Sequence, residues 1–169
     1  MSLELIDEKL DALKLFSPKI YGDKRGWFME SWRKDELEKF DIFTEFVQDN
    51  HSMSTKGVLR GLHFQHTPPQ SKLIRVTSGN AQVVEVDIRL DSPTFGKWYS
   101  FELSDENNHI LWVPAGFANG FLTLSDKVEM QYKVSNYWNK EGESNIKYDD
   151  PEIGISWKLE NPIVSERDK

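Results

Sequence analysis

Residues 48–65 read Gln-Asp-Asn-His-Ser-Met-Ser-Thr-Lys-Gly-Val-Leu-Arg-Gly-Leu-His-Phe-Gln, the densest mixture of polar residues and glycine in the chain. His63 suits a general base, because an imidazole takes up and returns a proton near neutral pH. Arg60 stands three residues before it, so on a continuous strand the two side chains face opposite ways. Gly61 is where a bulge could re-aim one of them. A turn carrying solvated polar groups is the alternative. A second cluster, Val113-Pro-Ala-Gly-Phe-Ala-Asn-Gly-Phe121, is a turn signal that leads into a strand.

This second cluster resembles half of the metal-binding pattern of cupin jelly rolls. That pattern has two histidines one residue apart, a glutamate, and a third histidine after the Pro-x-Gly turn. Here His63 follows Gly57 by six residues, His66 lies too far along to complete the pair, and Asn119 takes the third histidine's place. Too few donors converge for a first-row metal, and the chain has no cysteine to supply thiolates. The expectation is a metal-free site.

The elements that must position these residues are mostly strands. Period-two patterning runs through Leu13–Leu15, Lys72–Val76, Gln82–Ile88, Trp98–Leu103, His109–Val113, Gly120–Leu124 and Val128–Val134. Turn signals at Ser78–Asn80, Asp91–Thr94, Asp105–Asn108, Pro114–Gly116 and Ser125–Lys127 separate them. The spacing predicts an antiparallel sandwich or barrel rather than βαβ units. Only Ser31–Phe40 reads as a helix, short and surface-lying, and the segment from Asn139 is expected to cover one end. The 169 residues carry 21 Lys and Arg against 28 Asp and Glu, a net charge of −7. Hydrophobic residues make up 38% of the chain, enough for one domain spanning 1–169. The negative balance argues against a nucleic-acid partner. The longest apolar run, Ile110–Ala118, is interrupted by a proline and a glycine and falls far short of the ~18 residues of a membrane span. The first residues lack the basic region and apolar stretch of a secretory signal, so the cytoplasm is expected.

Nine segments in order carry a closer resemblance. They are Asp23–Glu30 (Asp-Lys-Arg-Gly-Trp-Phe-Met-Glu), Phe46–Ser52, Leu59–Gln65 (Leu-Arg-Gly-Leu-His-Phe-Gln), Ser71–Leu73, Val86–Arg89, Asp91–Gly96, Gly116–Phe121, Asp149–Trp157 and Ser165–Asp168. Together they resemble the dTDP-4-dehydrorhamnose 3,5-epimerase family nearly end to end. The resemblance implies an all-β, cupin-type jelly roll with short peripheral helices. It also implies a homodimer that inverts stereocentres beside the C4 ketone of a dTDP-linked 4-keto-6-deoxy sugar, without cofactor.

By this resemblance His63 is the base and Asp168 its orienting carboxylate. Tyr132 is the acid on the opposite face, and Lys72 stands near the C4 oxygen. Taken alone, Asp168 reads as a charge in a frayed terminus, Tyr132 as a core or rim aromatic, and Lys72 as an exposed strand end. Gln48 and Asn50 correspond to base- or sugar-binding residues, Arg60 to a diphosphate ligand and Glu143 to a further polar contact. Trp138 stands where the family stacks an aromatic on the base. Arg25, Phe28 and Glu30 match residues contributed by the neighbouring subunit. Asn119 replaces a histidine of the family pattern, and Val83 replaces an aspartate. Both departures are expected in or near the pocket, where they put the number of inverted centres in question. The alternatives are a C3-only or C5-only epimerase, possibly on another nucleotide sugar, and a non-catalytic cupin that binds a sugar nucleotide. A sugar 3,4-ketoisomerase of the same fold is disfavoured by Gly61–Gln65.

Overall fold

The computed structural model describes residues 3–169. Two antiparallel sheets pack face to face. The first has six strands in the order β1 (Leu3–Lys9), β2 (Leu13–Pro18), β10 (Ile110–Val113), β7 (Lys72–Ser78), β12 (Lys127–Val134) and β5 (Gln48–Thr55). The second has five, β13 (Glu143–Asn145), β6 (Leu59–Gln65), β11 (Phe117–Thr123), β8 (Asn80–Asp87) and β9 (Trp98–Ser104). A separate two-stranded hairpin joins β3 (Tyr21–Asp23) to β4 (Gly26–Phe28). This is an antiparallel sandwich, as the patterning predicts, with the jelly-roll form that the resemblance implies.

The apolar faces sort the layers. Leu13, Leu15, Ile74, Val76, Val83, Phe101, Leu111, Phe121 and Met130 are buried in one cluster contributed by both sheets. Outside the six-stranded sheet, Phe16, Leu73, Ile110 and Trp112 pack with Leu37 and Ile42. Outside the five-stranded sheet, Leu62, Val84, Val86 and Ala118 are covered by Ile146, Ile153, Ile155 and Trp157. Strand β8 is therefore buried on both faces, which explains its near-continuous apolar run. The segment after Asn139 thus lies along a sheet face rather than across one end, tied down by Gln82 Nε2 to the Ser156 carbonyl at 3.0 Å and Leu59 N to the Ile163 carbonyl at 2.9 Å.

The helix expected over Ser31–Phe40 is confined to α1 (Lys34–Glu38). Arg33 precedes it without a side-chain cap, so the first turn's free N–H groups gain nothing from their neighbour. At its far end Asp41 adopts a positive φ of 61° and the chain leaves the helix. Trp32 instead meets Phe46 edge-on at 6.2 Å.

The Asp87–Arg89 and Ser92–Thr94 segments form a structural knot. The fully buried Asp87 carboxylate accepts from Arg89 Nε at 2.9 Å, Arg89 Nη2 at 2.7 Å, the Arg89 backbone N–H at 3.0 Å, and the Ser92 and Thr94 hydroxyls at 2.6 Å each. Arg89 also donates to the Leu10 carbonyl at 2.9 Å, fastening the end of β8 to the β1–β2 turn. Burial raises the proton affinity of Asp87, but these donors outweigh it and hold the carboxyl far below its usual range. A lowered native value stabilises the fold above the unfolded value near ~4, and that contribution is lost as pH falls through the native value. Asp87→Asn is expected to lower stability at neutral pH by about 3 kcal/mol, because Arg89 loses its buried partner. It should also flatten the acid side of the stability curve. Urea unfolding at neutral and acid pH checks both outcomes.

Candidate active site

Period-two geometry builds one wall. On β5, Gln48, Asn50 and Ser52 alternate with exposed neighbours and line a cavity of about 530 Å³. On β12, Tyr132 is paired with Asn50 on one side and with Ile74 of β7 on the other. Lys72 lies two residues before Ile74, so it shares that face. Arg60, His63, Asn119 and Phe121 of the five-stranded sheet form the opposing wall, and Trp138, Glu143 and Arg167 join the rim.

Arg60 and His63 share the cavity because β6 bulges between them. Asn119 pairs with His63 and Phe121 with Arg60, so three steps along β6 span two along β11. Gly61 sits in the bulge with φ of 135°, in the region that favours glycine. A Cβ there would lie 2.5 Å from Gly120 Cα and 2.9 Å from the Asn119 carbonyl.

His63 Nε2 lies 2.6 Å from Asp168 Oδ1, across 105 residues of sequence. A single 3-10 turn, Glu166–Asp168, places that carboxylate, and the Ser165 hydroxyl donates to its other oxygen at 3.0 Å. Asp168 is buried. Lys72 comes from the facing sheet, and its ammonium makes no hydrogen bond or close ion pair among the described residues. Burial lowers its pKa from the ordinary lysine value, against the pull of Glu85 and Glu143. Burial raises that of Tyr132, with a further upward push from Glu143, so the phenol stays protonated at neutral pH.

The rim is a connected polar network. Trp138 Nε1 donates to Glu143 Oε2 at 3.0 Å, and Arg167 Nη2 meets the same oxygen at 2.8 Å. Partial burial pushes the Glu143 carboxyl up, but Trp138 and Arg167 prevail and hold it below its usual value. Gln65, buried beneath, donates to the Tyr137 carbonyl at 3.1 Å and accepts from Asn139 N at 2.8 Å. The backbone on both sides of the half-exposed Trp138 indole is thereby pinned. Arg60 donates to the Ser54 hydroxyl at 2.9 Å.

The structure thus brings together Gln48, Asn50, Arg60, His63, Lys72, Asn119, Tyr132, Trp138 and Glu143 around one cavity, with Asp168 behind His63. Arg25, Phe28 and Glu30 lie elsewhere, on or just after the β3–β4 hairpin, and line no part of it. Val83 is buried in the inter-sheet core, paired with the cavity-lining Phe121 and itself set back from the cavity. Sequence reasoning missed Ser52, Gln70 and Arg167 on the cavity wall. It also missed Glu85, fully buried beside Asn119. A lone acid between Val84 and Val86 in an apolar strand was the available signal for Glu85. Among the described residues no group of three or more His, Asp or Glu could hold a metal.

A jelly roll whose two sheets direct a histidine–carboxylate pair, a half-buried lysine and a phenol at one cavity is of the cupin type, with the side chains of an acid–base isomerase. The chain belongs to the dTDP-4-dehydrorhamnose 3,5-epimerase family, whose sequence pattern it matches over residues 7–169. A dTDP-4-dehydrorhamnose 3,5-epimerase of Shigella flexneri is 48% identical over 168 residues, 98% of this chain and 93% of the relative. The fold superposes with a TM-score of 0.95 on a Legionella pneumophila dTDP-6-deoxy-D-glucose-3,5-epimerase in complex with dTDP-4-keto-L-rhamnose, at 46% identity, covering 98% and 89% of the two chains. It superposes at 0.96 on the Bacillus anthracis dTDP-4-dehydrorhamnose 3,5-epimerase with TDP and PPi bound, at 42% identity, covering 99% and 97%.

The Gly61–Gly120 approach yields a direct test. Gly61→Ala must move backbone on β11, and is expected to cost about 2–4 kcal/mol. Gly22→Ala, whose Cβ meets nothing closer than 3.7 Å, should cost less than about 1 kcal/mol. Equilibrium unfolding of the two variants checks the contrast.

Proposed function

We propose that this protein epimerises dTDP-4-dehydro-6-deoxyglucose at C3 and C5 to dTDP-4-dehydrorhamnose, as the names of its relatives describe for them. The observation that carries the reading is that His63 and Tyr132 face one cavity from opposite sheets. Inverting a carbon beside a ketone requires a base on one face, stabilisation of the enolate oxygen, and an acid on the other face.

His63 removes the proton from C3 or C5, and Asp168 orients its ring and stabilises the imidazolium that forms. The Lys72 ammonium meets the charge that develops on the C4 oxygen. Tyr132 then delivers its proton to the opposite face, and its high proton affinity makes the phenolate easy to recharge from solvent. Both carbons flank the same ketone, so one constellation serves both inversions. Only protons move, and the step as written calls on no cofactor. Arg60 binds the diphosphate, Gln48, Asn50, Asn119 and Glu143 position base and sugar, and the Trp138 indole stacks on the base. The substrate class makes the cytoplasm the place of action, and among the described residues no helix is long and apolar enough to cross a membrane.

The proposal includes a homodimer. The β3–β4 hairpin exposes Tyr21, Trp27 and Phe28, more than half of the last two residues' surface. Exposed aromatics on a projecting arm support docking on a second copy. Arg25, Phe28 and Glu30 then complete the partner's cavity.

Two outcomes test this reading. In heavy water, His63→Ala should lose deuterium uptake at C3 and C5 by ~10²–10⁴-fold, since no base remains to form the enolate. Tyr132→Phe should keep measurable uptake while losing inversion, because the enolate is re-protonated from the face it left. Mass and NMR analysis of recovered sugar distinguishes them, and wild-type inversion by His63→Ala would refute the assignment. For the dimer, Arg25→Ala and Arg60→Ala proteins are each expected to be impaired. Mixing them after subunit exchange should restore activity in heterodimers that contain one intact site. No recovery despite demonstrated exchange counts against shared sites.

A further inference from the structure

The reaction as written leaves one buried titratable group unused. Glu85 is fully buried on β8. Register places it in a row across the five-stranded sheet, paired with Asn119 of β11, which is itself paired with His63 of β6. Asn119 Nδ2 donates to Glu85 Oε1. Glu85 Oε2 is buried with no hydrogen-bond partner among the described residues.

An ionised carboxylate has roughly four acceptor positions to satisfy, and here a single amide N–H fills one of them. Removing such an anion from water costs several kcal/mol unless donors or a close cation compensate. The neutral acid needs less, since it carries no net charge. Of the groups packed around Glu85, one charge opposes this balance without reversing it. Lys72 on β7 is the charge that acts on it from the facing sheet. Across β9 its register neighbour is Tyr99, whose ring is engaged by the Lys9 ammonium at 5.0 Å. His63 lies one strand beyond Asn119, and Glu143 acts on Lys72 and Tyr132.

We propose that Glu85 is a positioning residue for the epimerisation: as a neutral acid anchored by Asn119, it leaves the Lys72 ammonium free for the ketone oxygen, and its ionisation withdraws that charge from the substrate. This rests on the reaction proposed above. The titration of Glu85 agrees, since burial outweighs both Lys72 and the Asn119 bond and pushes its pKa to about 8. At neutral pH the Lys72 charge is then uncompensated from this side, which is what an enolate requires. Above that value a carboxylate competes for the same ammonium and the barrier rises. Asn119 contributes by its chemistry, because an amide donates without titrating and so adds no ionisable group of its own between Glu85 and His63.

The test compares wild type with Glu85→Gln, which keeps the shape and the Asn119 contact but cannot ionise. Turnover of dTDP-4-dehydro-6-deoxyglucose is followed by deuterium uptake across pH. The wild-type kcat is expected to fall as pH passes about 8, and in Glu85→Gln that limb should move upward by at least about one pH unit. A role confined to packing would lower stability without moving the limb. An unmoved limb in folded Glu85→Gln overturns the proposal. Should the variant fail to fold, infrared difference spectra of glutamate-labelled wild type decide. A protonated buried carboxyl band at neutral pH that disappears in step with kcat supports the role, and its absence at neutral pH overturns it. Wild type that takes up no deuterium would sink the reaction reading together with this role, whereas uptake with an unmoved limb sinks the role alone.

Discussion

Two backbones, at Gly61 and Gly120, approach so closely that neither strand has room for a further carbon atom between them. Everything distinctive about the five-stranded wall follows from this contact. With the bulge of β6 accommodated there, Arg60 and His63 turn to the same side, and Leu62 between them enters the outer apolar layer. A regular strand would have directed one of the two basic groups into that layer, where the C-terminal segment packs. The same contact keeps Asn119 opposite His63 and hence Glu85 next in line.

Two acids on β8 show how the protein controls charge without changing depth. Asp87 and Glu85 lie two residues apart on one strand, and both are inaccessible to solvent. Asp87 receives donors from three residues and is held ionised, whereas Glu85 receives one amide and is driven toward the neutral form. Donor supply, not burial, separates a structural anion from a group whose proton can come and go near neutral pH. The stable anion secures the corner that presents β8, and the labile acid lies where the cavity needs an adjustable charge.

Much of this architecture is legible in the amino-acid sequence. Val128-Glu-Met-Gln-Tyr-Lys-Val134 alternates so clearly that β12 could be drawn from it, and the run Gln82–Ile88 marks β8. Strand β5 is less plain because its inward residues, Gln48, Asn50 and Ser52, are polar, so hydrophobic period-two patterning passes over it. The hairpin arm is short and its aromatics face outward, which leaves no alternation to read. Gly61 as a bulge point was readable from the spacing of Arg60 and His63 alone. Asp168 was not, since a carboxylate 105 residues from its partner acquires its meaning only when the C-terminal segment crosses the sheet. Resemblance supplied it where local physics offered only a solvated charge. Neither route indicated Arg167, whose place on the rim depends on the same crossing.

The strand order of the six-stranded sheet has a kinetic meaning. Its polar wall is made where β5 joins β12 and β12 joins β7, partners separated by more than fifty residues of chain, as Lys133 and Asp49 at 84 residues apart illustrate. Such loops must close before any pairing rewards them, so folding is governed by topology rather than by local propensity, and all-β domains of this kind form on the millisecond-to-second scale. No hairpin formed early contains more than a fragment of the cavity. The working site is therefore a late product of folding, arriving with the last long-range pairings.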